Sequence, residues 1–273
     1  MKFRTEINID KSDRLIDHDQ NILTIGSCFA KNIGEYFKSY RFSVVCNPFG
    51  VLYNPISIYN SLKLIHSKKK FKKNDLVEHQ GEWHSFYHNS DFSHHDQNMC
   101  LEKINNGIIS THDFLKSTDH LIITFGTAFV YRYIKNDMIV SNCHKIPAKE
   151  FERYRLSLDE TKKTIESIVS FVNSISENIS IIFTVSPVRH WKDGAVENQL
   201  SKSTLLIAVD EIVKENKNCE YFPSYEIVMD DLRDYRFYDT DLLHPNKFAT
   251  DYIWDKFSNA KLSNQCLTIM KEV

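Results

Sequence analysis

Two spacings of apolar residues alternate along this chain. Ile22, Leu23, Thr24 and Ile25 form a short apolar and β-branched run, as a strand covered on both faces requires, and beyond Gly26 the spacing changes to that of a helix, with Phe29, Ile33 and Phe37 four apart. The switch then repeats. Residues 42–46 predict a second strand that ends in the turn Asn47-Pro48-Phe49-Gly50, and Ile56, Tyr59, Leu62 and Ile65 set a helix over 55–66. Residues 121–125 predict a third strand, followed by a hairpin of 128–134 and 138–141 around Lys135-Asn136-Asp137. Ile165, Ile168, Val169, Val172 and Ile175 predict a helix over 159–177, residues 179–185 a fourth strand, and Leu205, Leu206, Val209, Ile212 and Val213 a helix over 198–215. Residues 220–223 end a fifth strand, and Phe248, Tyr252, Ile253 and Phe257 face inward on a closing helix over 245–257, with Pro245 suited to its first turn. Weak alternation over 3–9 predicts an edge strand. Strands alternating with helices predict an α/β protein, a three-layer α/β/α sandwich around a parallel five-stranded sheet, with one domain over 1–273.

Between 67 and 110 no period holds. A lysine run gives way to histidines and aromatics, and seven of the twelve histidines fall between His66 and His112. His84 and His88 stand four apart with His94 and His95 close behind, which raises a metal site; no carboxylate or cysteine accompanies them at ligand spacing. The expectation is an inserted lid or rim, with Trp83 and His84 leaning over a site as substrate-binding groups.

Charge and composition narrow the classes. Among 273 residues, 34 Lys and Arg stand against 36 Asp and Glu, a net charge of -2, so nucleic acid and anionic membranes are not expected partners. No apolar run approaches a membrane span and the first ten residues lack a signal core, which predicts a cytoplasmic protein. Six widely spaced cysteines without a Cys-x-x-Cys predict reduced thiols.

The chemistry concentrates at two places. Ser27 falls where a strand becomes a helix, so its side chain leaves the carboxyl edge of the sheet beside unpaired N–H groups; the same position suits a plain helix cap. Asp241 and His244, three residues apart near the end, supply a carboxylate and a base, so Ser27, Asp241 and His244 form a possible nucleophile, orienter and base. Cys28 competes as nucleophile, with its direction turned about 100° from that of Ser27. Arg189 after the fourth strand suits an anionic substrate group, or an ordinary ion pair. His190 is a rival base without an acid at matching spacing.

Gly26-Ser27-Cys28-Phe29-Ala30, with Asn47-Pro48-Phe49-Gly50, Asn142-Cys143-His144-Lys145, Ser186-Pro187-Val188-Arg189-His190 and the run from Asp231 to Tyr238, resembles the GSCFA family, itself similar to the SGNH (GDSL-like) hydrolases. That resemblance implies a flavodoxin-like sheet and a serine esterase or O-acyltransferase that handles a small acyl group, such as acetyl on a carbohydrate, through an acyl-enzyme. It implies no cofactor. It also implies an oxyanion hole from the N–H groups of Ser27 and Gly50. SGNH relatives have Gly-x-Asn-Asp after the third strand, whereas this chain has Gly126-Thr127-Ala128-Phe129, so Asn142, Thr127 or Asn54 is expected to replace the missing amide. The departure leaves open an SGNH-fold binding protein with little or no turnover, and the histidine-rich stretch leaves open a metal-dependent hydrolase.

Overall fold

The computed structural model describes residues 4–272. Strand β1 (Asn21–Gly26) leads into α1 (Cys28–Ser39), and β2 (Ser43–Cys46) into α2 (Pro55–His66). A small hairpin, β3 (Val77–His79) with β4 (Glu82–His84), precedes α3 (Gln97–Lys116). Strand β5 (His120–Phe125) continues into β6 (Phe129–Tyr133), β7 (Met138–Val140) and β8 (Phe151–Arg155). Helix α4 (Leu158–Ile175), β9 (Ser180–Val185), α5 (Gly194–Glu215) and β10 (Cys219–Tyr221) follow. The chain closes with the single turn α6 (Ser224–Glu226), a π-helical turn (Ile227–Asp231), α7 (Lys247–Lys261) and α8 (Asn264–Ile269).

Five of these strands form the central sheet in the order β10-β9-β5-β1-β2, and every neighbouring pair is parallel. Counted within the sheet, this is the flavodoxin-like order 2-1-3-4-5. The chain leaves β1 towards β2 and returns on the other side as β5. The loops after β1 and β5 therefore diverge, opening at the carboxyl ends the crevice where such sheets bind ligands.

Two cores divide the strands by parity. Leu23, Ile25, Leu121, Ile123, Phe125, Ile181 and Phe183 face α2, α3, α4 and α5. Ile22, Ile122 and Ile182 face α1 (Phe29, Ile33, Phe37) and α7 (Ile253, Trp254, Phe257). The period of two thus sends successive side chains into opposite layers, which is why these runs read as continuously apolar and not as alternating.

Three expectations are corrected. From Thr5 to Ile9 no strand forms, although Ile7 and Ile9 pack against the second core; Phe3 lies outside the described residues. Within 67–110, residues 97–110 belong to α3, a layer helix whose Cys100, Ile104, Ile108 and Leu115 enter the first core. Its period is hidden because Thr111 and His112 share the buried face and Asn105-Asn106-Gly107 interrupts it. Pro245 precedes α7, which Asn246 caps by accepting from the Ala249 N–H (3.1 Å). The hairpin also gains a third strand, β8, pairing with β6.

Gly26 allows β1 to end where it does. Its φ is 137°, and a Cβ there would overlap the carbonyl of Thr124 on β5. Gly26→Ala combines backbone strain with overpacking and is expected to cost about 3–5 kcal/mol, read as a lower urea midpoint.

Candidate active site at the carboxyl edge of the sheet

The strand-to-helix turn is held from both sides. Gly26 donates its N–H to Asn47 Oδ1 (2.8 Å), and Ser27 donates its own to Thr124 O (3.0 Å). Ser27 is fully enclosed, and its hydroxyl accepts from the Phe29 N–H (3.3 Å) as the cap of α1. Cys28, the first helical residue, is more open. Burial pushes its thiol above the usual range; the Phe29 N–H and the ammonium of Lys202 oppose that shift, and the Asp241 carboxylate adds to it. The thiol therefore stands in the electrostatic field of both the buried lysine and the last loop.

That loop carries a joined acid and base. Asp241 Oδ2 lies 2.6 Å from His244 Nδ1, while Oδ1 accepts the N–H groups of Leu243 and His244 (both 2.9 Å). Those two backbone donors, then the imidazole, hold the carboxyl down at about 2. An ionised carboxylate only accepts, so His244 Nδ1 carries the proton and Nε2 is left as the basic nitrogen. Leu242 adopts φ 60° to close this turn, and Arg189 N–H donates to Leu243 O (3.4 Å), tying it to the segment after β9. Asp241 and His244 are each about half exposed, and no hydrogen bond joins His244 to Ser27 or Cys28 in the structure.

Helix α5 supplies the inner wall, through residues that sequence reasoning missed. Lys202 is buried and donates to Gly126 O (2.7 Å) and Ser186 O (2.6 Å), the carbonyls just past β5 and β9. Burial pulls its pKa down to about 7. Ser201 Oγ accepts from Ala128 N–H (2.8 Å), and Asn198 Oδ1 from His190 N–H (2.9 Å). Asn198, Ser201 and Lys202 occupy the stripe that continues through Leu205, Val209 and Ile212. Polar residues in phase with a core stripe are the sequence signal that would have found them. His190 stands near Gly126 with Nε2 buried and unpartnered; burial, then the charges of Lys202 and His244, lower it to about 4.

Other expected groups are engaged elsewhere. The Gly50 N–H closes its own turn on Asn47 O (2.7 Å), so neither it nor the Ser27 N–H is free for an oxyanion, which corrects that expectation. Asn142 Oδ1 accepts from His144 N–H (2.9 Å), and its own N–H points to Phe86 O (3.4 Å), placing it beside the small sheet. Thr127 Oγ1 bonds Ser201 (3.0 Å), and Asn54 caps α2 by accepting from Ser57 N–H (2.9 Å). His84 has both ring nitrogens occupied, by Ser93 Oγ (2.6 Å) and His79 O (3.2 Å), and stacks on His144 at 4.5 Å. Trp83 exchanges backbone bonds with His94 and packs on the first core. These two therefore build the hairpin and do not overhang the crevice. Arg189 lines a cleft of about 550 Å³ with Trp191, Met229, Tyr235, Tyr238 and Asp241. Among the described residues no carboxylate pairs with it, and its buried Nε has no acceptor.

A doubly wound sheet of this order, with a capped turn after its first strand and an Asp-His pair before α7, defines an α/β protein with a candidate active site at the carboxyl edge of its sheet. The GSCFA family model matches residues 21–257, from the first residue of β1 into α7, and the chain belongs to the GSCFA family. No curated protein matches it.

The buried histidines make the fold sensitive to acid. Burial first of all lowers His88 to about 3 and His144 and His190 to about 4, against about 6.5 in the unfolded chain. Below pH 6.5 the unfolded state binds protons that the folded state refuses, so their stabilisation is complete above pH 6.5 and is lost as pH falls towards 4. The expected loss reaches up to about 1.4 kcal/mol per pH unit for each histidine. Urea titrations at pH 7, 6 and 5 read this slope, and His88→Phe should flatten it by one histidine's share.

Proposed function

We propose that this protein cleaves or transfers small acyl esters through a covalent intermediate on the Ser27–Cys28 turn, with His244 moving the proton and Asp241 holding its tautomer. The observation that carries the reading is the 2.6 Å Asp241–His244 contact, in which a firmly ionised carboxylate leaves Nε2 as the proton acceptor. The substrate is a small-molecule or carbohydrate ester, and the guanidinium of Arg189 in the adjoining cleft, which touches Met229 Sδ and the Trp191 ring but pairs with no carboxylate among the described residues, supports one bearing an anionic group.

Ser27 is the nucleophile that the resemblance implies, and as nucleophile it requires its enclosed hydroxyl to be uncovered when substrate enters. A second reading has its own observation: Cys28 is the more open of the two, and its thiol feels the charge of Asp241. A thiol kept protonated by burial would need His244 as its base, and so would use the same pair.

Hydrolysis of p-nitrophenyl acetate by Ser27→Ala, Cys28→Ala and His244→Ala tests the reading. His244→Ala and the variant lacking the true nucleophile should each lose at least about 10³-fold in kcat, while the other alanine variant stays within about tenfold. Wild-type rates in all three would overturn the proposal. Arg189→Ala is expected to raise KM about tenfold or more for an ester carrying a carboxylate, with little change for a neutral one. Equal effects on both esters would remove Arg189 from recognition.

A further inference from the structure

We infer that the carboxamide of Asn47 is the oxyanion donor of this site, with Nδ2 giving its N–H to the oxygen that becomes anionic when an ester carbonyl is attacked. The inference rests on the covalent reading above and holds for either nucleophile.

Asn47 is nine-tenths buried just past β2, in a left-handed conformation with φ 45°. All its polar groups but one are satisfied. Its N–H donates to Thr24 O (2.8 Å), its carbonyl accepts from Gly50 N–H (2.7 Å), and Oδ1 accepts from Gly26 N–H (2.8 Å). A backbone N–H can only donate, so the bond from Gly26 fixes which branch of the carboxamide is oxygen and turns Nδ2 away from it. Nδ2 is buried and has no acceptor. An unsatisfied buried donor costs about 1–3 kcal/mol, a cost that a transient anion beside it would offset.

Position and elimination point the same way. Asn47 grips the residue immediately before Ser27, at the carboxyl end of β1, and the N–H of Cys28 opens α1 with no backbone acceptor among the described residues, facing only its own thiol. The N–H groups of Ser27 and Gly50 and the hydroxyl of Thr127 are spent, Asn142 belongs to the small sheet and Asn54 caps α2; of the two carboxamides among the described residues with a buried, unpartnered Nδ2, Asn47 and Asn198, only Asn47 holds the backbone beside Ser27, whereas Asn198 holds that of His190. A donor from the turn after β2 thus takes the place left empty after β5.

In the step itself, the attacking oxygen or sulfur bonds to the carbonyl carbon while the carbonyl π pair moves onto oxygen, and the nucleophile's proton passes to His244 Nε2. Asn47 Nδ2–H and the Cys28 N–H receive the oxyanion. As the pair returns, the bond to the alcohol oxygen breaks, and that oxygen leaves with the proton from His244.

Asn47→Asp separates this role from a structural one. The carboxylate keeps an oxygen for the Gly26 N–H and tolerates the left-handed backbone, but it has no N–H to give. The expected result is a fall in kcat of about 10²–10³-fold with KM within a few fold, because the donor acts only in the transition state. Measuring the p-nitrophenol burst gives the acylation rate per competent site, so partial loss of fold cannot imitate the effect. An Asn47→Asp burst as fast as that of the wild type overturns this inference alone. A wild-type protein that hydrolyses the ester but shows neither a burst nor an acyl adduct on Ser27 or Cys28 by mass spectrometry of the quenched reaction sinks the covalent reading, and this inference with it.

Discussion

The approach of Gly26 to Thr124 is the contact on which the rest of the site depends. Side-chain volume is excluded there because the β5 carbonyl occupies the place of a Cβ, and the backbone runs at φ 137°, a conformation open in practice only to glycine. β1 can therefore pass close enough to β5 for the Ser27 N–H to reach Thr124 O, and α1 starts in the very next residue. On the other side Asn47 takes the Gly26 N–H. One residue is thus clamped between the strands that wind away in opposite directions, and the first turn of α1 inherits its direction from that clamp.

The crevice walls differ in how they are held. Lys202 binds the carbonyls past β5 and β9 with one ammonium, and Asn198 and Ser201 fasten the neighbouring backbone, so one side is fixed by buried polar bonds. In that setting a missing partner is costly, and each buried group is strongly directional. The Asp241-His244 loop is the opposite case. It is half exposed and organises itself: the carboxylate accepts two N–H groups of its own turn before it meets the imidazole. Its ionisation follows from local backbone donors and not from the interior, so the base keeps its tautomer whether or not the crevice is occupied.

The histidine-dense region illustrates how composition misleads. His84 and His144 stack, and His88 lies flat on Phe49 at 4.0 Å, so these rings serve as packing surfaces with one or two hydrogen bonds each. The pair His84 and His144 joins the hairpin to the small sheet, and His88 packs against the turn after β2.

Local periods were enough to reveal the five parallel strands, helices α1, α2, α4, α5 and α7 and the turn at Gly26, because burial on both faces forces apolar runs and covering helices need a stripe. The same reading placed Asp241 and His244 together, since an i, i+3 pair in a tight turn meets without help from the rest of the chain. Helix α3 stayed hidden because its core face contains Thr111 and His112, and β8 because a three-stranded side sheet carries little apolar signal. Tertiary structure alone decided the inner wall and the donors. Whether a given N–H is free depends on the strand beside it: Thr124 takes the Ser27 N–H, the Asn47 carbonyl takes that of Gly50, and Gly26 claims one half of the Asn47 side chain, leaving Nδ2 unpaired. Apart from the local turn at Gly50, these donors are claimed by partners twenty to a hundred residues away, and no period along the chain records that.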